Sequence, residues 1–292
     1  MKDVFGDVKR GNGRKIAGIA LIIIGIVGLI ILGPKALIGN TNPAYNHTIL
    51  LKPGMLKEIE ILSDRADVEL IIEKGSTDRI EMQGFAPEQV VSKIKSSQVT
   101  GGEWNLDIRD NTVKLVNFGF YKKSPRHQIV VQLENDKTLE KLMVQNALGE
   151  ISLKGGKIDE LSLSTDMGDV EVEGVIGKNT TVSSGAGDVD LERVDAIIQV
   201  STSMGNIEIS NSSKLVTTNT AMGNTNIEMK EPHGVDAKGD LGDIKIIVPR
   251  GFNGIYDLDT DLGDIEKPDS LVGADTIIKA RTAMGNIKVK EN

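Results

Sequence analysis

From Leu142 onward, apolar and polar residues alternate in short bursts, and a glycine interrupts them at a near-constant interval. The glycines are Gly149, Gly168, Gly187, Gly205, Gly223, Gly242, Gly263 and Gly285, spaced 18 to 22 residues apart. A small or apolar residue precedes each, and Asp, Asn or Glu follows: Asp169, Asp188, Asn206, Asn224, Asp243, Asp264 and Asn286, with Glu150 at the first. Five positions before the glycines stand Val144, Leu163, Val182 and Val200, and four positions after stand Leu153, Val172, Leu191 and Ile209. Three before them is a small polar column that includes Asn146, Thr165, Ser184 and Thr202. Period-two alternation on both sides predicts a strand, a corner and a second strand in each unit.

A unit of about 19 residues cannot bury its apolar face alone, but stacked units form continuous inner columns. The predicted fold class is therefore all-β: a parallel β-helix (β-solenoid), with each coil lying on the one before it. Eight coils at ~4.8 Å give a rod about 38 Å long, and the handedness of parallel crossovers makes it right-handed. A multi-sheet β-sandwich is the alternative, but it would not require equal spacing. Upstream, residues 58–71 repeat the same logic, with Ala66-Asp67-Val68 in place of the glycine corner. Residues 101–116 and 128–133 alternate as further strands, and 87–96 read as one short helix.

Ile16 to Leu32 is an unbroken run of apolar residues and glycine closed by Gly33-Pro34. As a helix it spans roughly 26 Å, the lower end for crossing a bilayer. A cleaved signal peptide is the competing reading, but the run is long for one and no A-x-A cleavage site follows. Five basic residues precede the run and only Lys35 and Lys52 follow it before residue 54, so the positive-inside rule leaves the N-terminus in the cytoplasm. The expected organisation is a cytoplasmic basic tail (1–15), a single transmembrane α-helix (16–33), a linker (34–46), an N-terminal β region of the extracellular domain (47–140) and the repeated solenoid (141–292). Gly18, Gly25 and Gly28 share one broad face of the helix, where small residues let a neighbouring helix approach closely.

Composition narrows the chemistry. Among 292 residues there is no Cys, which removes disulfides and thiolate sites, and there are three His. The net charge is −8, and the basic tail makes the exported part more acidic still, which argues against a nucleic-acid partner. Aspartates stacked near 4.8 Å, Asp169 with Asp188 and Asp243 with Asp264, invite a calcium reading. Interchange with Asn suits turn chemistry better: glycine supplies a positive φ and Asp or Asn caps the turn through its own backbone. The Thr/Ser column is expected to form a hydroxyl ladder or local turns at the corner. No nucleophile elbow, P-loop or zinc-protease motif is present. No catalytic residue, metal site or cofactor is assigned, and the chain is not expected to be an enzyme. One segment concentrates aromatic and basic side chains: Phe118, Phe120, Tyr121, Lys122, Lys123 and Arg126. It is a candidate contact for a partner or a surface. Lys288, Lys290 and Glu291 in the last strand are expected to oppose end-to-end joining of rods.

Residues 129–133, then Leu139-Glu140-Lys141-Leu142-Met143-Val144 and Ala147-Leu148-Gly149-Glu150-Ile151, resemble an adhesin-type family of domains of unknown function. Its members read V-x-L-P, L-x-x-L-x-V and repeated T-x-x-G-D-I. Ser63-Asp64-Arg65-Ala66-Asp67-Val68 matches the family's opening element, and Glu134 departs from the usual Pro. With an N-terminal membrane helix the chain is most similar to LiaG-type proteins of Gram-positive bacteria. That resemblance implies association with a cell-envelope stress response and supplies no catalytic residue. The expectation is a membrane-anchored extracellular binding or scaffold module. Its partners would be membrane lipid through the helix, and either a membrane protein of an envelope-stress system or a cell-wall polymer. A surface adhesin is the alternative.

Overall fold

The computed structural model describes residues 42–110, 125–134, 137–269, 274 and 276–292, all of which belong to one compact unit. The membrane-helix segment 16–33, with Gly18, Gly25 and Gly28, lies outside the described residues. No helix among those described is long and apolar enough to cross a membrane.

Among the described residues the unit is two long sheets, of 12 and 11 strands, whose strands run mostly parallel to their neighbours. From Thr138 onward each coil gives a longer strand to the 11-stranded sheet, turns a corner, and gives a shorter strand to the other. Thr138–Leu148 leads to Ile151–Lys154, Lys157–Met167 to Val170–Glu173, and Ile176–Ala186 to Val189–Glu192. Register follows the repeat: Leu148, Met167, Ala186 and Met204 lie side by side. Val144, Leu163, Val182 and Val200 from one sheet meet Leu153, Val172, Leu191 and Ile209 from the other, all buried. The alternation predicted from the sequence is thus the inward face of a dry core between the sheets.

Two expectations need correction. The 12-stranded sheet carries two antiparallel strands at one end and the 11-stranded sheet carries one, which leaves ten coils rather than eight. The two further coils are Glu58–Arg65 with Asp67–Gly75, and Glu103–Asp107 with Arg126–Glu134. The strands of these two coils stack in register on the repeat that starts at Thr138. The first strand, Ala44–Leu50, begins inside the stretch read as linker.

Nor does each coil lie on the one before it. At both ends the order is exchanged. The 103–134 coil packs outside the 58–75 coil, and the chain then returns to the other face of 58–75 to start at Thr138. At the far end, the coil built from Gly254–Leu262 and Ile265–Glu266 is outermost. The later coil, Thr276–Met284 with Ile287–Glu291, is inserted between it and Val235–Leu241 with Ile244–Val248. Lys288 thus sits inside the stack while Lys290 and Glu291 are paired on the inner side only, and the open edge of the 11-stranded sheet belongs to Gly254–Leu262.

The helix Glu88–Ser96, read from the sequence as 87–96, closes the other end of the core with Val90 and Ile94 buried beside a fully buried Trp104. The buried Asp78 carboxylate accepts the Gly54 and Glu134 amides and lies 3.6 Å from the Lys137 ammonium, fixing two loops at that end.

Candidate binding surface along the corner column

The corner is built by stacking. Gly187 has φ +153°, and a Cβ there would stand 2.1 Å from the Gly168 carbonyl oxygen. Both the conformation and the closeness of successive coils therefore require glycine.

Asp188 Oδ1 accepts the Asn206 amide at 2.7 Å, Asn206 Oδ1 accepts that of Asn224 at 3.0 Å, and Asn224 Oδ1 accepts that of Asp243 at 2.9 Å. Asp169 Oδ1 accepts the Asp188 amide at 2.8 Å, and Asp67 Oδ1 that of Glu150 at 3.2 Å. The cap expected on each residue's own turn is instead a bond to the next coil. That explains why Asp and Asn interchange: both offer the same short-armed oxygen. Because of the exchanged order, Asp243 serves Asn286 at 2.7 Å and Asn286 serves Asp264 at 2.9 Å. The expected Asp243–Asp264 neighbours are therefore separated by a coil. The small polar column also bonds between coils: Ser184 Oγ donates to the Gly168 carbonyl at 3.0 Å and Thr282 Oγ1 to that of Gly242 at 3.1 Å. Among the described residues no cluster of three or more His, Asp or Glu is placed to hold a metal ion.

Beside the ladder runs a feature that period-two reasoning misplaces. The residue before each glycine has inward parity, yet the chain turns there and the side chain points out. Leu148, Met167, Met204, Met222, Leu241, Met284 and Leu262 are each 38–66% exposed. They stack in register with Ala186 into one apolar ridge across eight coils. The available signal was a bulky apolar residue before the glycine in seven of the eight units. The two rows flanking the ridge hold Asp166, Asp240 and Asp261 on one side, and Glu150, Asp169, Asp188, Asp243 and Asp264 on the other, with no Lys or Arg in either. All eight are exposed.

The shorter-strand face beyond the corners is also acidic. Burial, then the carboxylates of Glu208 and Glu171, push the Asp190 carboxyl above its ordinary range, and burial with Asp67 and Glu171 does the same to Glu150. Toward the open edge this face forms a groove of about 470 Å³ lined by Asn226, Asp243, Lys245, Glu266 and Lys288. There Lys288 pairs with Glu266 at 2.6 Å.

Of the aromatic and basic segment singled out from sequence, Phe118, Phe120, Tyr121, Lys122 and Lys123 lie outside the described residues. Arg126 opens a strand and pairs with Glu69 at 2.9 Å. Its neighbour His127 is buried against the Tyr45 hydroxyl at 2.7 Å, and burial holds its pKa down to about 4. Residues 108–125 join Asp107 to Arg126, where the other coils have a corner of one or two residues. Ser212 and His233 also form a close pair, Oγ to Nε2 at 2.8 Å, with Nδ1 of the same ring 2.9 Å from the Gly234 carbonyl. Ser212 is fully buried, so this pair seals a turn and offers no reachable nucleophile.

No curated protein matches the chain. Solved structures do. A provisionally assigned adhesin from Bacteroides fragilis is 16% identical over 88% of this chain and all of its own, with a TM-score of 0.43. A provisionally assigned lipid-binding protein from Parabacteroides distasonis is 17% identical over 87% of this chain and 98% of its own, with a TM-score of 0.41. A provisionally assigned cell adhesion protein from Clostridium sporogenes is 12% identical over 86% of this chain and all of its own, at 0.31. At those scores the likenesses carry no functional weight. A family model identifies the chain: Toastrack DUF4097 matches residues 56–290, from the strand before the first corner to the last inserted one. The chain belongs to the Toastrack DUF4097 family.

Proposed function

We propose that this chain is a non-enzymatic binding or scaffold module of the cell envelope, anchored by residues 16–33 with residues 42–292 outside the membrane. In this reading it supports an envelope stress response through a protein partner, as the LiaG-type resemblance implies. The observation that carries it is the division of labour at the corners. Most Asp, Asn, Ser and Thr side chains of the two polar columns are committed to bonds between coils, Thr220 bonding Thr225 of its own coil instead. What faces outward is one continuous apolar ridge with acidic flanks, a surface suited to contact rather than to chemistry.

The test is mass spectrometry of what co-purifies with the full-length protein from gently solubilised membranes, beside a form lacking residues 1–33. A stoichiometric membrane partner lost in the shortened form is the expected result. No protein partner, together with sedimentation of the chain from residue 41 onward with isolated cell walls, would replace this reading with that of a wall-polymer adhesin.

A further inference from the structure

We infer that the apolar ridge docks a cationic amphipathic helix of about four turns, carried by a protein partner. The inference rests on the binding-module reading and names the partner's chemistry. Three observations select the occupant.

The first is charge. Eight exposed carboxylates line the two sides of the ridge with no Lys or Arg among them, and the cation beside it is Arg65, in register with Leu148 at one end. A second copy of this chain would bring acid rows against acid rows, and an anionic lipid surface would be repelled in the same way. A partner with Lys or Arg on both sides of an apolar stripe is matched instead.

The second is spacing. Ridge side chains repeat once per coil, about 4.8 Å, and the apolar stripe of a helix advances about 5.4 Å per turn. The two drift apart by roughly 0.6 Å per turn, so four turns stay within about half a spacing. An extended strand repeats its same-side residues every ~6.7 Å and loses register almost at once.

The third is composition. Met167 and Met204 flank the small Ala186, which leaves a notch, Met222 follows one coil on, and unbranched thioether side chains adjust to an imperfect register better than branched ones.

The experiment uses the full chain with 13C-methyl methionine in zwitterionic nanodiscs. The probe is a synthetic Leu/Lys peptide of about 15 residues patterned at the helical period. Two controls accompany it: the same peptide with Glu for Lys, and one of the same composition with Leu and Lys alternating. The expected result is saturable shifts at the methyls of Met167, Met204 and Met222 with the helical Leu/Lys peptide alone. The buried Met82 and Met229 should stay still. Met204→Gln with Met222→Gln should weaken binding about tenfold. Asp169→Asn with Asp188→Asn should weaken it most at low salt. Those Asn variants keep the inter-coil acceptor, so their melting temperature should not move, which separates lost binding from lost fold.

Equal binding of the Glu or the alternating peptide, shifts confined to other methyls, no shifts at all, or ridge shifts with anionic vesicles alone would each overturn the inference. If the full-length chain captures a membrane partner that the ridge variants capture equally, the binding-module reading stands and the ridge assignment falls.

Discussion

Asp188 concentrates the residue-scale logic of the molecule, because its oxygen holds the amide of the next coil while its own amide is held by the coil below. Replacing it with Asn should leave stability within about 0.5 kcal/mol, since Asn206 and Asn224 already do the same work in neighbouring coils. Asp188→Ala, which leaves the Asn206 amide unmet, should cost about 1 kcal/mol. Gly187→Ala should cost more than about 2 kcal/mol, because the new methyl meets backbone that cannot swing away. Denaturant midpoints of the three variants check the order, and an Asn variant as damaged as the Ala variant would refute the ladder. The glycine's role is legible in the repeat itself, since no other residue type recurs at that interval without substitution. The direction of the cap is not: a bond to the same turn and a bond to the next coil demand the same residue types, and only stacking distinguishes them.

At the scale of elements, the strand Gly254–Leu262 is the exposed edge of the 11-stranded sheet, and it carries Asp257, Asp259 and Asp261 at alternate positions. Unpaired edges template association unless charge opposes it. Asp257 is engaged by Arg281 at 2.9 Å, which leaves Asp259 and Asp261 as the guards. Converting both to Thr should produce concentration-dependent self-association in sedimentation velocity while the monomer's circular dichroism stays unchanged. Converting Lys279 and Arg281 to Thr on Thr276–Met284, which is paired on both sides, should produce none. The strands themselves were readable because alternation marks a half-buried strand regardless of its neighbours. The edge was not, because the corners around Gly242, Gly263 and Gly285 share one chemistry. Nothing in their pattern says which lies against which. The hint is length: the last two glycine intervals are 21 and 22 residues where the others are 18 or 19. A chain that skips a coil and comes back has further to travel.

For the whole unit, the exchanged order makes the last coil in sequence a common neighbour. Thr276–Met284 and Ile287–Glu291 are the parallel partners of both the 235–248 coil and the 254–266 coil. Deleting residues 276–292 should therefore release two coils rather than one. Limited proteolysis followed by mass spectrometry should find cleavage throughout 249–275 while 138–248 stays protected. Continued protection of 254–266 would contradict the arrangement. The ridge, too, is a property of this scale. Each exposed Met or Leu alone is an ordinary surface residue, and only coils stacked in register turn a column of them into a continuous seam.

The inserted coil also determines how the molecule bears mechanical load. A coil at the end of a stack, pulled by its chain end, peels away one hydrogen bond at a time. Asn292 is tied by its amide to Val248 at 3.0 Å and by its carbonyl to Arg250 at 2.9 Å, and the strand before it is bonded along one flank and at its first two residues on the other. Tension applied at Asn292 acts along that strand in shear, against one row of bonds over its whole length and a second over Ile287 and Lys288.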